Sequence, residues 1–180
     1  MEQVMNKETI MKESEKIFQR MYDYCRQLPD ETFFGVPEGK WTIAQHVQHL
    51  VISTKMSTAA FAIPKFLVSL IGGKPDRPSM NFYDFTEKYQ LKLKEGGKAS
   101  GRYIPSNVNA VSGKAVLVKW QKTTSHYLRT IDRNWKEDQL DNYFVLHPLL
   151  AKITLRELCY FTVHHTDHHL RGIKRQALLF

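Results

Sequence analysis

The sequence predicts an all-α fold, a four-helix bundle with a long loop and a short helix inserted between the second and third long helices. Two observations predict it. Four long stretches carry apolar residues at helical spacing, and no segment sustains the period-two alternation between hairpin turns that marks strands. The chain is also ordinary in make-up: 180 residues, 42% hydrophobic and 24% charged, enough to close one substantial core. Residues 1–180 are therefore expected to form a single domain.

The first stretch covers about residues 7–28, with Ile10, Ile17, Met21, Tyr24, Cys25 and Leu28 recurring at helical spacing, and Pro29-Asp30 ends it. A loop with Gly35, Pro37 and Gly39 follows. Thr42 is a good N-cap for a second helix carrying Ile43, Val47, Leu50, Val51 and Thr54, expected to run to about Ala62 before Pro64 bends or ends it. From Gly72 the pattern breaks up: Gly72-Gly73, Pro75 and Pro78 frame a turn, residues 82–94 suit a short helix, and residues 96–113 read as a polar loop. Ser112 is expected to cap a third long helix reaching about Trp135 on a stripe of Val116, Trp120, Leu128 and Ile131. A fourth starts after His147-Pro148, with Thr154 and Glu157 spaced as a capping box, and continues to about Gln176.

Composition narrows the function. Cys25 and Cys159 stand alone, with no CxxC pair, which argues against a disulfide scaffold or a cysteine-built zinc site and fits a reducing cytoplasm. The charged first residues offer no apolar core for a secretory signal. The most apolar run, residues 58–73, is too short to span a bilayer and holds Pro64 and Lys65, so no membrane segment is expected. A net charge of +8 raises the question of nucleic acid, but the basic residues are mostly interleaved with acids. Only Lys92, Lys94, Lys98 and Arg102, and then Arg171, Lys174 and Arg175, are concentrated. A basic pocket mouth for a small anion explains them as well, and nothing has the form of a helix-turn-helix or an aromatic, basic surface.

The chemistry-bearing feature is histidine placement. Four of the eight histidines fall in His164-His165-Thr166-Asp167-His168-His169. On a helix, positions four apart share a face, which gives two chelating pairs, His164 with His168 and His165 with His169. Stepping back from His169 meets His165, Thr162, Leu158, Leu155 and Ala151, an apolar or small stripe suited to the interior. Stepping from His168 meets His164, Tyr160 or Phe161 and Glu157, then Arg171 and Arg175 in the other direction, a face expected in solvent. His165 and His169 are therefore expected to point inward. Two buried imidazoles need hydrogen-bond partners or a cation, and catalytic zinc sites usually have three protein ligands. The second helix offers His46 and His49 for the third place, which periodicity does not separate, while His126 and His147 are weaker candidates. No general acid or base is identified: Asp167 lies off the inward face, Tyr103, Tyr143 and Tyr160 read as packing residues within reach of a pocket, and Trp41, Trp120 and Trp135 read as packing.

These residues resemble the DinB-like superfamily, whose members include bacillithiol transferases and mycothiol-dependent maleylpyruvate isomerases. Trp41-Thr42-Ile43 followed by His49 is similar to its tryptophan-led second-helix motif, in which the ligand histidine falls eight residues after the tryptophan. The resemblance thus favours His49 over His46. His165-Thr166-Asp167-His168-His169-Leu170-Arg171-Gly172-Ile173 resembles its HxxHH element, whose first and last histidines are ligands. His147-Pro148 through Thr154 is similar to the lead-in to the last helix in one branch. Gly172 departs from the pattern, since relatives commonly place glutamine or another polar residue there. The resemblance implies an up-down-down-up four-helix bundle, a zinc or nickel site formed by His49, His165 and His169, and homodimers. It also implies a metal-dependent enzyme, a thiol-dependent S-transferase or hydrolase, using a low-molecular-weight thiol and a small-molecule substrate. A metal-holding or stress-associated binding protein without turnover is the alternative expectation.

Overall fold

The computed structural model describes residues 4–36, 40–108, 110 and 114–180. Helix α1 (Lys7–Gln27) begins where the Asn6 side chain accepts from Thr9 N at 2.8 Å, and it buries Ile10, Ile17, Phe18, Met21 and Cys25 along one stripe. Pro29 stops it. Where a loop was expected, Asp30–Phe34 forms a short helix, α2, anchored by the fully buried Phe33. Helix α3 (Ile43–Ala62) starts with a complete capping box: Thr42 accepts from Gln45 N at 3.1 Å while Gln45 Oε1 accepts from Thr42 N at 2.9 Å. Pro64 then turns the chain by 110° into α4 (Lys65–Gly72). Helix α5 (Phe82–Lys94) fills the expected insertion. Helix α6 (Ala115–Asn134) follows; its expected cap, Ser112, and the loop residues Pro37 and Gly39 lie outside the described residues.

The four long helices, α1, α3, α6 and α7 (Leu155–Ala177), form a ring in which α1 and α3 each pack on both α6 and α7. Contacts at their ends fix the directions. Met5 N donates to Tyr160 Oη and the Lys174 ammonium lies over the Tyr24 ring, so α1 and α7 run parallel. Lys7 meets Asp132 and Lys114 Nζ meets the Leu28 carbonyl, so α6 is antiparallel to α1. Trp41 reaches Gln176, so α3 is antiparallel to α7. The connectivity is up-down-down-up, the arrangement implied by the family resemblance. Buried tryptophans lock the ring, each with its indole N–H satisfied: Trp120 donates to the Phe18 carbonyl and Trp135 to that of Phe61. Among the described residues, no single helix is long and apolar enough to cross a membrane.

Two local expectations are corrected. The segment before the last helix is a two-stranded antiparallel hairpin, β1 (Phe144–His147) with β2 (Ala151–Thr154), in the register Phe144 to Thr154. Ala151, which extrapolation of the helical stripe placed on the inward face, is an exposed strand residue with φ of 59°. The stripe cannot reach it because Thr154 and Glu157 start the helix at Leu155 through a full capping box. The face of α7 expected in solvent is also buried along its first turns. Glu157, Tyr160, Phe161 and His164 lie beneath α5 and the segment leading to it, and only toward the C-terminus do Arg171 and Arg175 emerge. Glu157 tolerates burial because Arg77 grips it with two bonds of 2.6 and 2.8 Å and two backbone N–H groups donate to it.

Candidate metal centre

Because α3 and α7 are antiparallel, the first turns of α3 face the later turns of α7, and His49 meets His165 and His169 there. His49 Nε2 lies 3.1 Å from His165 Nε2, which lies 3.0 Å from His169 Nε2. The three offer ligand atoms all within 4.8 Å of one another. His49 and His165 are buried and His169 partly so.

The outer nitrogens show how the rings are held. His49 Nδ1 lies 2.7 Å from the Tyr103 carbonyl, which only accepts, so Nδ1 carries the proton and Nε2 is left with its lone pair. His165 Nδ1 faces the Ser53 hydroxyl at 3.3 Å. His169 Nδ1 lies 3.0 Å from His46 Nδ1. Gln176 donates to the Trp41 carbonyl at 3.1 Å, beside His46. A His46 ring that accepts at Nδ1 leaves the His169 proton on Nδ1 and its Nε2 bare.

Burial is the leading cause of lowered basicity in all three rings, with His165 and His169 pushed well below the ordinary histidine value. For His165 and His169 the neighbouring imidazoles lower it further. They stand neutral at physiological pH. A proton on His165 Nε2 bridges only one of its two contacts, with His49 Nε2 or His169 Nε2, at a time, whereas a divalent ion satisfies all three nitrogens at once. Nitrogens about 2.0–2.1 Å from a tetrahedral zinc stand roughly 3.3 Å apart, close to the spacings here. Outer-nitrogen partners of this kind are what orient metal-ligating histidines. The donor set therefore fits a divalent metal.

The cluster opens onto a cavity of about 320 Å³ walled by α3, α5, α7, the hairpin and the loop around Lys98 to Tyr103. Its apolar wall includes Met56, Leu93, Leu149, Leu158 and Phe161. Among the described residues that line it there is no carboxylate, and its one amine is that of the exposed Lys98.

The remaining candidates separate clearly. His126 is exposed on α6 and does not line the cavity, and His147 lines it from β1. Asp167 pairs with Arg171 at 3.2 Å on the helix surface. Tyr143 packs edge-on against Trp135 and the Tyr160 hydroxyl accepts from Met5 N, while Tyr103 reaches the site through its carbonyl. Arg102 is exposed and does not line the cavity. A Cβ added at Gly172 would meet nothing within 4 Å, so the backbone there leaves room for the family's polar residue. His46 was weighed only as an alternative ligand, and Ser53 and the Tyr103 carbonyl, which hold the rings with it, and Tyr89 in the cavity wall were missed as site residues. The role of His46 was hidden because its partner, His169, lies on another helix.

An up-down-down-up helical bundle with three imidazoles converging between antiparallel helices is the architecture of a protein able to hold a divalent metal. The sequence pattern of the DinB superfamily matches residues 14–173, and the chain belongs to that superfamily. No curated protein matches it.

Proposed function

We propose that the protein is a metal-dependent enzyme in which zinc or nickel, held by His49, His165 and His169, activates a low-molecular-weight thiol for transfer to a small molecule. The observation that carries this reading is the cavity: the converging nitrogens face a cleft with room for a ligand, not a sealed core. When bound, such an ion with an open position stabilises a thiolate or polarises a carbonyl as a Lewis acid. The chain's own part is orientation and exclusion of water. Tyr103, Ser53 and His46 hold the ring planes, and Phe161, Leu158 and Met56 make a wall that keeps water from a bound thiol.

One observation favours a second reading, a metal-holding protein without turnover: among the described residues, no carboxylate lines the cavity to serve as general acid or base. Thiol transfer needs such a group less than hydrolysis does, which orders the two activities.

Elemental analysis of untagged protein, with His49→Ala and His165→Ala alongside, is the first test. About one ion per chain, lost in both variants, is expected; thiol consumption with model electrophiles should then depend on the ion. Protein that takes up neither zinc nor nickel would remove the reading. A bound ion without any thiol consumption would establish the second one.

A further inference from the structure

His147 sits at the end of β1, on the cavity wall, and the His147-Pro148 pair has so far no role in the site. Its ring is fixed by the turn that follows it. Pro148 has no N–H to give, and the next two backbone N–H groups, of Leu149 and Leu150, both donate to His147 Nδ1 at 3.2 Å. A nitrogen that accepts two such bonds keeps its lone pair, so the neutral ring carries its proton on Nε2. The ring also packs against Phe161 at 4.3 Å between centroids, and Phe161 stacks on His165 at 4.8 Å with the planes 21° apart. The hairpin, one aromatic spacer and the metal-facing histidine thus form a continuous row along the cavity.

Among the described residues, His147 Nε2 has no protein partner, and neither does the hydroxyl of Tyr89, which lines the same cavity from α5. Burial keeps both groups neutral, with His147 pushed down to about 4 and Tyr89 raised. A donor bond that replaces water must be satisfied by the ligand, and a neutral N–H in an apolar wall pairs with a carbonyl at less desolvation cost than with an ionised oxygen.

The geometry points to His147 as a substrate-binding residue whose Nε2–H donates to the carbonyl oxygen of a small, largely apolar carbonyl compound lying between the hairpin and the three histidines. This rests on the proposed metal-dependent reading, since the histidine cluster supplies the far end of the site. His147 holds and orients the carbonyl and passes no proton, because its Nδ1 is occupied by the backbone.

The test is a chemical double-mutant cycle on zinc-loaded, full-length protein. The two probes are N-phenyl-3-mercaptopropanamide and its carbonyl-free counterpart N-(3-mercaptopropyl)aniline, with calorimetry on wild type, His147→Phe and His147→Gln. Wild type is expected to prefer the carbonyl-bearing probe by about 5–10-fold, a single hydrogen bond's worth. The preference should vanish in His147→Phe and return in part in His147→Gln, whose amide N–H donates, with zinc content equal in all three. Equal binding of the two probes by wild type overturns the assignment, whether or not the variants fold. So does a preference that survives in His147→Phe. Failure of wild type to bind either thiol while holding zinc sinks the thiol-transfer reading instead, and failure to hold zinc sinks the metal site.

Discussion

Each imidazole of the cluster can offer Nε2 because its other nitrogen has a partner, and that partnership predicts unequal effects of substitution. Replacing His49, His165 or His169 by Ala removes a ligand and is expected to abolish tight metal binding while the helical circular dichroism persists. His168→Ala should change metal content little, since His168 lines the cavity without joining the cluster. Equal losses at His168 and His169 would show the wrong pair facing inward. His46 gives a graded case. Its Nδ1 lies against His169 Nδ1 and steadies that ring, so His46→Ala is expected to weaken zinc binding by ~10–100-fold in a chelator competition. Unchanged affinity would mean the His169 ring is held some other way.

At the scale of elements, the site depends on the hairpin lying close against α4. An added Cβ at Gly72 would stand 1.7 Å from the Phe144 carbonyl oxygen, a backbone atom that cannot swing aside. Gly72→Ala must therefore push β1 away from α4, and its expected cost is about 1–3 kcal/mol in denaturant unfolding. Because β1 carries His147, the same variant should also disturb ligand binding in the cavity. A stability within a few tenths of wild type would show that the hairpin is free to shift. The capping box of α7 belongs to the same argument: Thr154 is at once the last residue of β2 and the N-cap of α7, so hairpin and helix are placed by one residue.

Across the whole molecule, burial of histidines couples stability to pH. His46, His147 and His164 are each pushed down to about 4, with burial the main cause. Their unfolded value is about 6.5, so below that pH the unfolded chain binds protons that the folded chain refuses. The stabilisation is present above 6.5 and is lost as pH falls toward 4. Metal-free protein is therefore expected to melt several degrees lower at pH 5 than at pH 7, since ~1 kcal/mol corresponds to about 2–4 °C for a chain of this size. A melting temperature flat over that range would mean these rings already carry protons when folded. The cysteines add no chemistry at neutral pH: burial pushes the thiols of Cys25 and Cys159 up to about 12, and both are free.

Much of the architecture was legible in the sequence because local rules and the core agree. The helical spacing of Ile10, Ile17, Met21 and Cys25, the caps at Thr42 and Thr154, and the break at Pro64 act locally, and the elements follow them. The pairing of His165 with His169 was legible for the same reason, since both lie on one helix face. What depends on another element was not. Spacing left His46 and His49 undivided because their roles are set by Tyr103, His169 and the crossing of α3 with α7. The burial of Glu157 and His164 was missed because one helix's periodicity does not reveal that α5 covers its second face. The hairpin escaped because its four-residue strands are too short to show alternation, and their pairing gains its stability from α4 and α7 packed around it. Local spacing settles the four long helices and which histidines share a face, whereas the meeting of nitrogens across α3 and α7 is settled by contacts between residues more than a hundred positions apart.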